Sequence, residues 1–265
     1  MSDDTAAAFD PATAFDLSDR VAVVTGGTRG IGRAIALGLA NAGADVVPTS
    51  RTAENVEDAV SAVESRGVDS LAHPTDVTDA DAVTDLMAAV EADLGGPDIV
   101  VNNAGVSVDG ALGPPEATTE DDTEFLLDVN LRGAFRCARA AADSLRASDG
   151  GSLINVASVA GLVGIPRQHP YVASKHGLVG ITKSMALDWA PEVRVNAVAP
   201  GYVLTDMTAG IEGDEQLMAS IRDRTPLSRF AETAEIAGPV VFLASDAASY
   251  VTGACLSVDG GWTAR

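Results

Sequence analysis

Lysine is almost missing from this 265-residue chain, which contains only Lys175 and Lys183. Lysine and arginine together number 17 against 38 aspartates and glutamates, so the formal net charge at pH 7 is −21. A surface this acidic repels the phosphates of nucleic acids and the head groups of anionic membranes. The composition therefore argues against both as partners.

The acidic side chains are spread along the sequence and form no single tail, as the segments 54–58 and 120–122 illustrate. This composition resembles that of proteins from salt-accumulating halophiles, in which molar salt screens the self-repulsion of the folded chain. We interpret the acidity as an adaptation to habitat and not as part of the function.

Cysteine is equally scarce, since Cys137 and Cys255 are too few for a disulfide framework. No stretch approaches the ~18 consecutive apolar residues of a membrane-spanning helix, and the acidic N-terminus lacks the positive charge of a secretory signal. The three histidines share no spacing typical of metal ligands, so we expect no metal. These features predict a cytoplasmic protein.

Short β-branched runs alternate with alanine-rich helical stretches from Asp19 onward. The pattern predicts strands at 21–25, 45–49, 70–73, 98–102, 152–156, 194–197 and 255–258, and helices at 30–42, 54–66, 79–94, 123–147, 171–190 and 233–245. Such alternation indicates a doubly wound α/β fold of the Rossmann type, a parallel sheet of about seven strands with helices on both faces. We expect one domain over residues 19–265, preceded by a flexible acidic extension over residues 1–18.

A glycine-rich turn links the first predicted strand to the first long helix. Glycines let the backbone turn tightly and approach a pyrophosphate, which binds to the exposed amides at the helix N-terminus. The spacing Gly-x-x-x-Gly-x-Gly differs from the usual dinucleotide fingerprint, but its place after the first strand favours a cofactor site. The predicted contacts in this turn are Gly26, Thr28, Arg29, Gly30, Ile31 and Gly32.

The second predicted strand ends without the carboxylate that NAD-dependent enzymes usually place there for the adenosine ribose. Ser50 and Arg51 occupy these positions, and Arg29 lies in the glycine turn. Two guanidiniums near the ribose suit a 2′-phosphate through charge-assisted hydrogen bonds. The sequence therefore predicts a preference for NADP.

Tyr171 and Lys175 stand four residues apart, which on a helix puts both side chains on one face. An ammonium held beside a phenol favours the phenolate and lowers the tyrosine pKa. Because the chain has three tyrosines and two lysines, chance pairing at this spacing has a probability of only about two per cent. We expect Tyr171 to exchange a proton with an alcohol or a ketone.

These segments together resemble the short-chain dehydrogenase/reductase family over nearly all of residues 19–265. The resemblance is carried by 25–32, Asp76-Val77, Asn102-Asn103-Ala104-Gly105, Asn130, Ser158, Tyr171 with Lys175, Pro200-Gly201, Thr205 and Asp259-Gly260-Gly261. It implies a catalytic set of Asn130, Ser158, Tyr171 and Lys175. In that set Ser158 donates to the substrate oxygen, Lys175 also binds the nicotinamide ribose, and Asn130 sits mid-helix and holds a water linked to Lys175.

The resemblance also implies further cofactor contacts. Asp76 and Val77 would contact the adenine, and the segment containing Asn103, Ala104 and Gly105 would close the fourth strand beneath the cofactor. The remaining implied contacts are Pro200, Gly201, Val203 and Thr205, the last facing the nicotinamide carboxamide, together with Tyr171 and Lys175. Family members of this length are commonly homotetramers, with the helices at 123–147 and 171–190 forming one interface.

The substrate is less well specified than the reaction class. Within the family the chain looks most like the reductases of 3-oxoacyl thioesters on ACP or CoA, with sugar, polyol and sugar-acid dehydrogenases as the alternative. Substrate-facing loops are expected at 106–118, 160–170 and 202–230, and Arg167 is a candidate for a carboxylate or phosphate. A non-catalytic dinucleotide sensor is a remote third possibility, which a damaged Tyr, Lys or Ser position would favour; all three are intact.

Overall fold

The computed structural model describes residues 10–205, 208 and 213–264. Its strands are β1 Val21–Thr25, β2 Asp45–Thr49, β3 Ile99–Asn102, β4 Gly151–Val156, β5 Val193–Pro200 and β6 Cys255–Val258. Its α-helices are α1 Pro11–Ala14, α2 Gly30–Asn41, α3 Ala53–Glu64, α4 Ala80–Leu94, α5 Glu120–Leu127, α6 Ala134–Ala140, α7 Ala142–Ala147, α8 His169–Trp189, α9 Glu215–Arg224 and α10 Ala234–Ala244. Among the described residues, no helix is long and apolar enough to cross a membrane.

The strands form one parallel sheet in the order β2-β1-β3-β4-β5-β6. The chain first moves from β1 to β2 and then returns to the other side of β1 at β3, so the strand order reverses between β1 and β3. In such sheets ligands bind in the crevice beyond the carboxyl ends of the strands at this reversal. The predicted doubly wound fold is confirmed, and its crevice opens beside Thr25 and Asn102.

Helices cover both faces of the sheet, so the central strands β1 and β3 are buried throughout and largely apolar, whereas the edge strand β6 is partly exposed. Val24 belongs to a cluster with Leu39 of α2 and Ile236 of α10. Its neighbour Val23 belongs to a second cluster with Leu86 of α4. Consecutive residues of a strand point to opposite faces, so a strand covered on both sides is a continuous apolar run.

The prediction of a strand at 70–73 is wrong. This segment approaches the outer edge of β2, where the Val46 amide donates to the Asp69 carbonyl at 3.1 Å. The next amide on that edge would come from position 48, which is Pro48 and has no N–H to donate. No backbone bond joins 70–73 to β2, and the next one is donated by Thr75 to the Ser50 carbonyl at 2.9 Å. The sheet therefore has six strands where about seven were expected.

The single helix predicted over 123–147 is broken into α5, a π-helical segment at Asp128–Gly133, α6 and α7. In the π segment, the side chain of Asn130 pairs with the backbone of Val106. Gly133 packs against Val77, where an added Cβ would lie 2.8 Å from a methyl carbon. Single π turns inside helices are frequent at functional sites, and this one holds a predicted catalytic residue.

The expected N-terminal extension divides into two parts. Residues 1–9 lie outside the described residues. After them Asp10 caps α1, and the side chain of Leu17 is buried while its amide donates to Ala42. The ring of Phe15 lies 6.4 Å from that of Phe242, so residues 10–18 pack on the domain.

Candidate active site

The glycine turn after β1 is packed too closely for side chains at two of its glycines. Gly26 has a φ of +63°, and a Cβ there would lie 3.0 Å from the Cα of Ala104. A Cβ at Gly32 would collide with the carbonyl oxygen of Gly26 and with the Asn103 amide. The first turn of α2 therefore sits directly on the glycine turn, and its exposed amides point into the crevice.

Asn103 and Thr25 lock the ends of β1 and β3 together. The Asn103 Nδ2 donates to the carbonyls of Thr25 and Gly26, each at 3.0 Å. The Thr25 Oγ1 accepts from the amides of Asn103 and Ala104, each at 3.1 Å. These bonds fix the backbone of the predicted 103–105 contact segment against the glycine turn.

At the end of β2 the structure brings two of the predicted cofactor residues together. The Thr28 hydroxyl donates to the Ser50 hydroxyl at 3.1 Å, which links the glycine turn to β2. Arg29 and Arg51 are both exposed. The nearby Arg33, which is not among the predicted cofactor contacts, forms an ion pair with Asp58 at 2.7 Å.

The predicted adenine segment is also held by named bonds. The carboxylate of Asp76 accepts from the amide and the hydroxyl of Thr78, at 2.9 and 2.8 Å. The Val77 carbonyl accepts from Arg136 at 3.3 Å, and Arg136 also bonds Asp128 at 2.8 Å. Arg136 therefore connects the adenine segment to the π segment, a link that the sequence analysis missed because it joins residues far apart in the chain.

Helix α8 carries Tyr171 and Lys175 into the crevice beside Ser158 at the end of β4. The Lys175 Nζ lies 5.7 Å from the centroid of the Tyr171 ring and donates to the Val156 carbonyl at 2.8 Å. Ser158 accepts from the Ala160 amide at 3.1 Å, and its hydroxyl lies close enough to Tyr171 to lower the pKa of the phenol. The predicted triplet of serine, tyrosine and lysine is thus assembled in one place.

The expected direction of the tyrosine pKa is not met in this structure. Burial raises the pKa of Tyr171, and the hydrogen bond from Ser158 only partly opposes this effect. Burial lowers the pKa of Lys175 from 10.5 to about 8. Both shifts have one cause, because removing a site from water disfavours the phenolate and the ammonium alike. The Lys175 ammonium donates to the Val156 carbonyl. Its expected lowering of the Tyr171 pKa is therefore outweighed by burial of the phenol.

Asn130 is engaged by protein groups. Its Oδ1 accepts from the Val106 amide at 2.8 Å, and its Nδ2 donates to the Val106 carbonyl at 3.0 Å. A Cβ at Gly105 would lie 3.5 Å from this Oδ1 and 3.8 Å from the Lys175 Nζ. The missing side chain of Gly105 therefore leaves a gap between Asn130 and Lys175.

The predicted contacts after β5 lie across the crevice from the glycine turn. A Cβ at Gly30 would be 3.6 Å from Thr205 Cγ2. Gly201 approaches the C-terminal segment so closely that an added Cβ would lie 2.8 Å from the Cα of Asp259. Pro200 ends β5, and Val203 forms an isolated bridge with Ala231.

A cluster of large side chains near the C-terminus was not predicted. The ring of Tyr202 lies 4.9 Å from that of Trp262 and 6.0 Å from that of Phe230. The Arg224 guanidinium stacks on Trp262 at 4.4 Å. The available signal was the scarcity of aromatic residues, 4% of the chain, which makes a tryptophan just after the Asp-Gly-Gly motif conspicuous.

Nearly the whole chain is similar to known proteins. A family model described as enoyl-(acyl carrier protein) reductase matches residues 26–263. A 3-oxoacyl-[acyl-carrier-protein] reductase of Staphylococcus aureus is 42% identical over 244 residues, which are 91% of this chain and 96% of that protein.

Solved structures agree in fold. A putative short-chain alcohol dehydrogenase from Sinorhizobium meliloti is 43% identical with a TM-score of 0.90, covering 95% of this chain and 99% of that one. A gluconate 5-dehydrogenase from Burkholderia cenocepacia, solved in complex with NADP and tartrate, is 35% identical with a TM-score of 0.92, covering 97% of this chain and 100% of that one.

Proposed function

The chain belongs to the short-chain dehydrogenase/reductase family, and from this premise we propose that it reduces a 3-oxoacyl thioester, carried on ACP or CoA, to the 3-hydroxyacyl form with NADPH. The reaction class is that of an oxidoreductase acting on C=O and CH–OH groups. The observation that carries the choice of substrate is the 42% identity to a 3-oxoacyl-[acyl-carrier-protein] reductase across 91% of the chain.

The crevice fits a nicotinamide dinucleotide. The close approach of Gly26 and Gly32 to neighbouring backbone leaves a cradle without side chains at the N-terminus of α2, where a pyrophosphate binds. Around it we assign the cofactor contacts Gly26, Thr28, Arg29, Gly30, Ile31, Gly32, Ser50, Arg51, Asp76, Val77, Asn103, Ala104, Gly105, Tyr171, Lys175, Pro200, Gly201, Val203 and Thr205.

The end of β2 supports the choice of NADP over NAD. Ser50 and Arg51 offer hydroxyl and guanidinium donors to a 2′-phosphate. A carboxylate at the same place would repel that phosphate. The NADP complex of the related gluconate 5-dehydrogenase is consistent with this choice.

Three side chains carry out the proposed chemistry beside the cofactor. When bound, NADPH supplies the hydride that becomes the new C–H bond of the 3-hydroxyl carbon. Ser158 donates a hydrogen bond to the substrate oxygen and stabilises the negative charge that develops there. Tyr171 gives its phenolic proton to that oxygen, and Lys175 stabilises the resulting phenolate.

Asn130 completes the proposed catalytic set as a positioning residue. Its amide ties the π segment to Val106 at 2.8 and 3.0 Å, so it maintains the gap at Gly105 beside Lys175. A water in this gap would connect the ammonium to solvent and return the proton that Tyr171 has lost.

The second candidate is a sugar-acid dehydrogenase, with polyol and other sugar dehydrogenases in the same group. It is favoured by the TM-score of 0.92 to a gluconate 5-dehydrogenase in complex with NADP and tartrate, and by a gluconate 5-dehydrogenase that is 39% identical over 94% of the chain. The same catalytic triplet would then oxidise a secondary alcohol, with Tyr171 as the base. A non-catalytic sensor remains the remote alternative.

We also propose a homotetramer in a cytoplasm of high salt. Phe135 of α6 and Leu187 of α8 expose 50% and 84% of their surface, and both lie on the helices expected at one subunit interface. Burying them against a second copy would remove apolar area from water. The net charge of −21 supports a requirement for molar salt, and we expect neither nucleic acid nor membrane among the partners.

The decisive test follows NADPH oxidation with acetoacetyl-CoA in molar KCl, in parallel with NADP reduction by gluconate. Turnover of the thioester supports the proposal, and turnover of gluconate alone would replace it with the second candidate. NADPH binding without turnover of any carbonyl or alcohol substrate would favour the sensor. The Tyr171→Phe variant is the control, since full activity there would overturn the catalytic assignment.

A further inference from the structure

The π segment Asp128–Gly133 is held to the assigned adenine contact Val77 at both of its ends. At the first end, the Arg136 guanidinium donates to the Val77 carbonyl at 3.3 Å and to the Asp128 carboxylate at 2.8 Å. At the other end, a Cβ added to Gly133 would lie 2.8 Å from a Val77 methyl carbon. A displacement of the adenine segment is therefore transmitted to the π segment, because groups packed this closely do not move independently.

The middle of the π segment contacts α8, the helix that carries the proposed catalytic tyrosine and lysine. The Asn130 Nδ2 lies 3.5 Å from the Oγ of Ser174, which donates to the Tyr171 carbonyl at 2.7 Å. The next residue, Leu131, packs so closely on Gly177 that a Cβ added there would lie 2.9 Å from a leucine methyl carbon. The contacts thus continue from the adenine segment to the part of α8 that carries the catalytic pair.

The ion pair between Arg136 and Asp128 is sheltered from water. The two side chains are 22% and 24% exposed, and a charge-assisted hydrogen bond is stronger in such a place than on an open surface. Arg132 also approaches Asp128, at 3.6 Å, but its side chain is 66% exposed. Arg136 is therefore the arginine that secures the π segment to Val77, and Arg132 is a matched neighbour on the same carboxylate.

The adenosine half of NADPH takes no part in hydride transfer. Binding energy from such a remote part raises the rate only if it orders the groups at the reacting centre. Ordering of this kind needs a physical connection between the two ends of the cofactor site. The contacts from Val77 through the π segment to α8 provide one, since α8 carries Lys175, which is assigned to the nicotinamide ribose.

We propose that Arg136 is a positioning residue that couples adenine binding at Val77 to the placement of Tyr171 and Lys175. The proposal rests on the proposed function, which assigns Val77 to the adenine and the other two residues to the chemistry. A bound adenine holds Val77, and with it both ends of the π segment, so that α8 keeps the position needed for reduction. A cofactor without adenosine loses this support.

The test divides the cofactor into two parts. Reduced nicotinamide mononucleotide supplies the hydride, and adenosine 2′-monophosphate supplies the adenine half with its 2′-phosphate, at a concentration that displaces bound NADPH completely. The substrate is the N-acetylcysteamine thioester of acetoacetate, because the adenosine of CoA would compete for the adenine site. In the wild type, adenosine 2′-monophosphate should raise kcat/KM for the reduced mononucleotide by about 10-fold and tighten its binding, as is typical of coupled sites.

Arg136→Met should reduce this activation to less than about 3-fold, whereas the matched control Arg132→Met should retain it. Asp128→Asn keeps the size of the side chain and weakens the same bond to Arg136, so it should also reduce the activation. This variant decides the question if Arg136→Met does not fold. Circular dichroism and size-exclusion chromatography verify the fold and the assembly of each variant.

The ratio of activities with and without adenosine 2′-monophosphate separates coupling from a merely structural role. Loss of packing alone would lower both activities and leave their ratio unchanged. No activation in the wild type, or equal activation in the wild type and in Arg136→Met, would overturn the coupling.

Failure of the proposed function gives a different result. In that case the wild type reduces no thioester even with intact NADPH. The fluorescence of the reduced mononucleotide then still measures the coupling, since adenosine 2′-monophosphate should lower its dissociation constant in the wild type and in Arg132→Met but not in Arg136→Met. An unchanged dissociation constant in the wild type would overturn the coupling there as well.

Discussion

Lys175 should lower the stability of the folded protein at neutral pH, and replacing it should reveal by how much. Its side chain is 4% exposed, and burial lowers its pKa from 10.5 to about 8. The unfolded chain therefore binds one more proton than the folded chain between about pH 8 and about pH 10.5. Stability rises with pH across this window, and the penalty is complete below about pH 8.

The magnitude follows from the width of the window. A difference between 10.5 and about 8, at about 1.4 kcal/mol per pH unit, corresponds to about 3 kcal/mol. Lys175→Met removes the titrating group. The difference in unfolding free energy, wild type minus variant, should therefore grow in favour of the wild type by about 1.4 kcal/mol per pH unit above about pH 8 and stay constant below it.

Urea unfolding in constant molar KCl, at one protein concentration and at several values from about pH 7 to about pH 10, measures this difference. Lys183 is the other lysine of the chain and is exposed, so Lys183→Met is the matched control and should run parallel to the wild type. A wild-type minus Lys175→Met difference that stays flat over the whole range would refute the argument that burial depresses the lysine pKa.

Three further outcomes are expected. Tyr171→Phe should lower kcat by ~10²–10⁴-fold with little change in the NADPH dissociation constant, and full activity of this variant would contradict the assignment. In the wild type, reduction should slow and oxidation should accelerate as the pH rises through the Tyr171 pKa. Parallel pH profiles for the two directions would contradict this expectation. Gly32→Ala forces a Cβ into the Gly26 carbonyl and should abolish tight NADPH binding. Gly238→Ala on α10, with nothing within 4 Å, should instead raise the unfolding free energy by roughly 0.5–1 kcal/mol. Urea titration and NADPH fluorescence distinguish the two variants. Arg51→Glu should reduce the NADPH over NADH preference in kcat/KM by ~10-fold or more, and an unchanged ratio would remove Arg51 from the site.

The alternation of strands and helices was predictable from sequence because the central strands β1 and β3 are buried on both faces and are therefore nearly continuous apolar runs. The glycine turn and the Tyr171–Lys175 pair were equally visible, since both depend on spacing within one element. The missing strand at 70–73 had a signal as well, in Pro48 at the edge of β2, but using it required knowing which side of β2 faced outward.

Other features depend on contacts between distant segments. The π segment contains Asn130, which pairs with Val106. The cluster around Trp262 depends on Tyr202 and Arg224 lying beside the indole. The direction of the Tyr171 pKa depends on how completely water is excluded around the phenol, which no spacing in the sequence reveals.

The same burial sets the resting protonation state of the proposed catalytic tyrosine. Burial raises the pKa of Tyr171, so the phenol keeps its proton across neutral pH and is ready to act as an acid. Reduction of a ketone needs a proton donor, whereas oxidation of an alcohol needs the phenolate, which this environment disfavours. Lys175, with its pKa lowered to about 8, is still largely charged near neutrality and can stabilise the phenolate once the proton has left. Reduction can therefore begin from the resting phenol, whereas oxidation must first remove its proton, and this difference is what the pH profiles of the two directions would report.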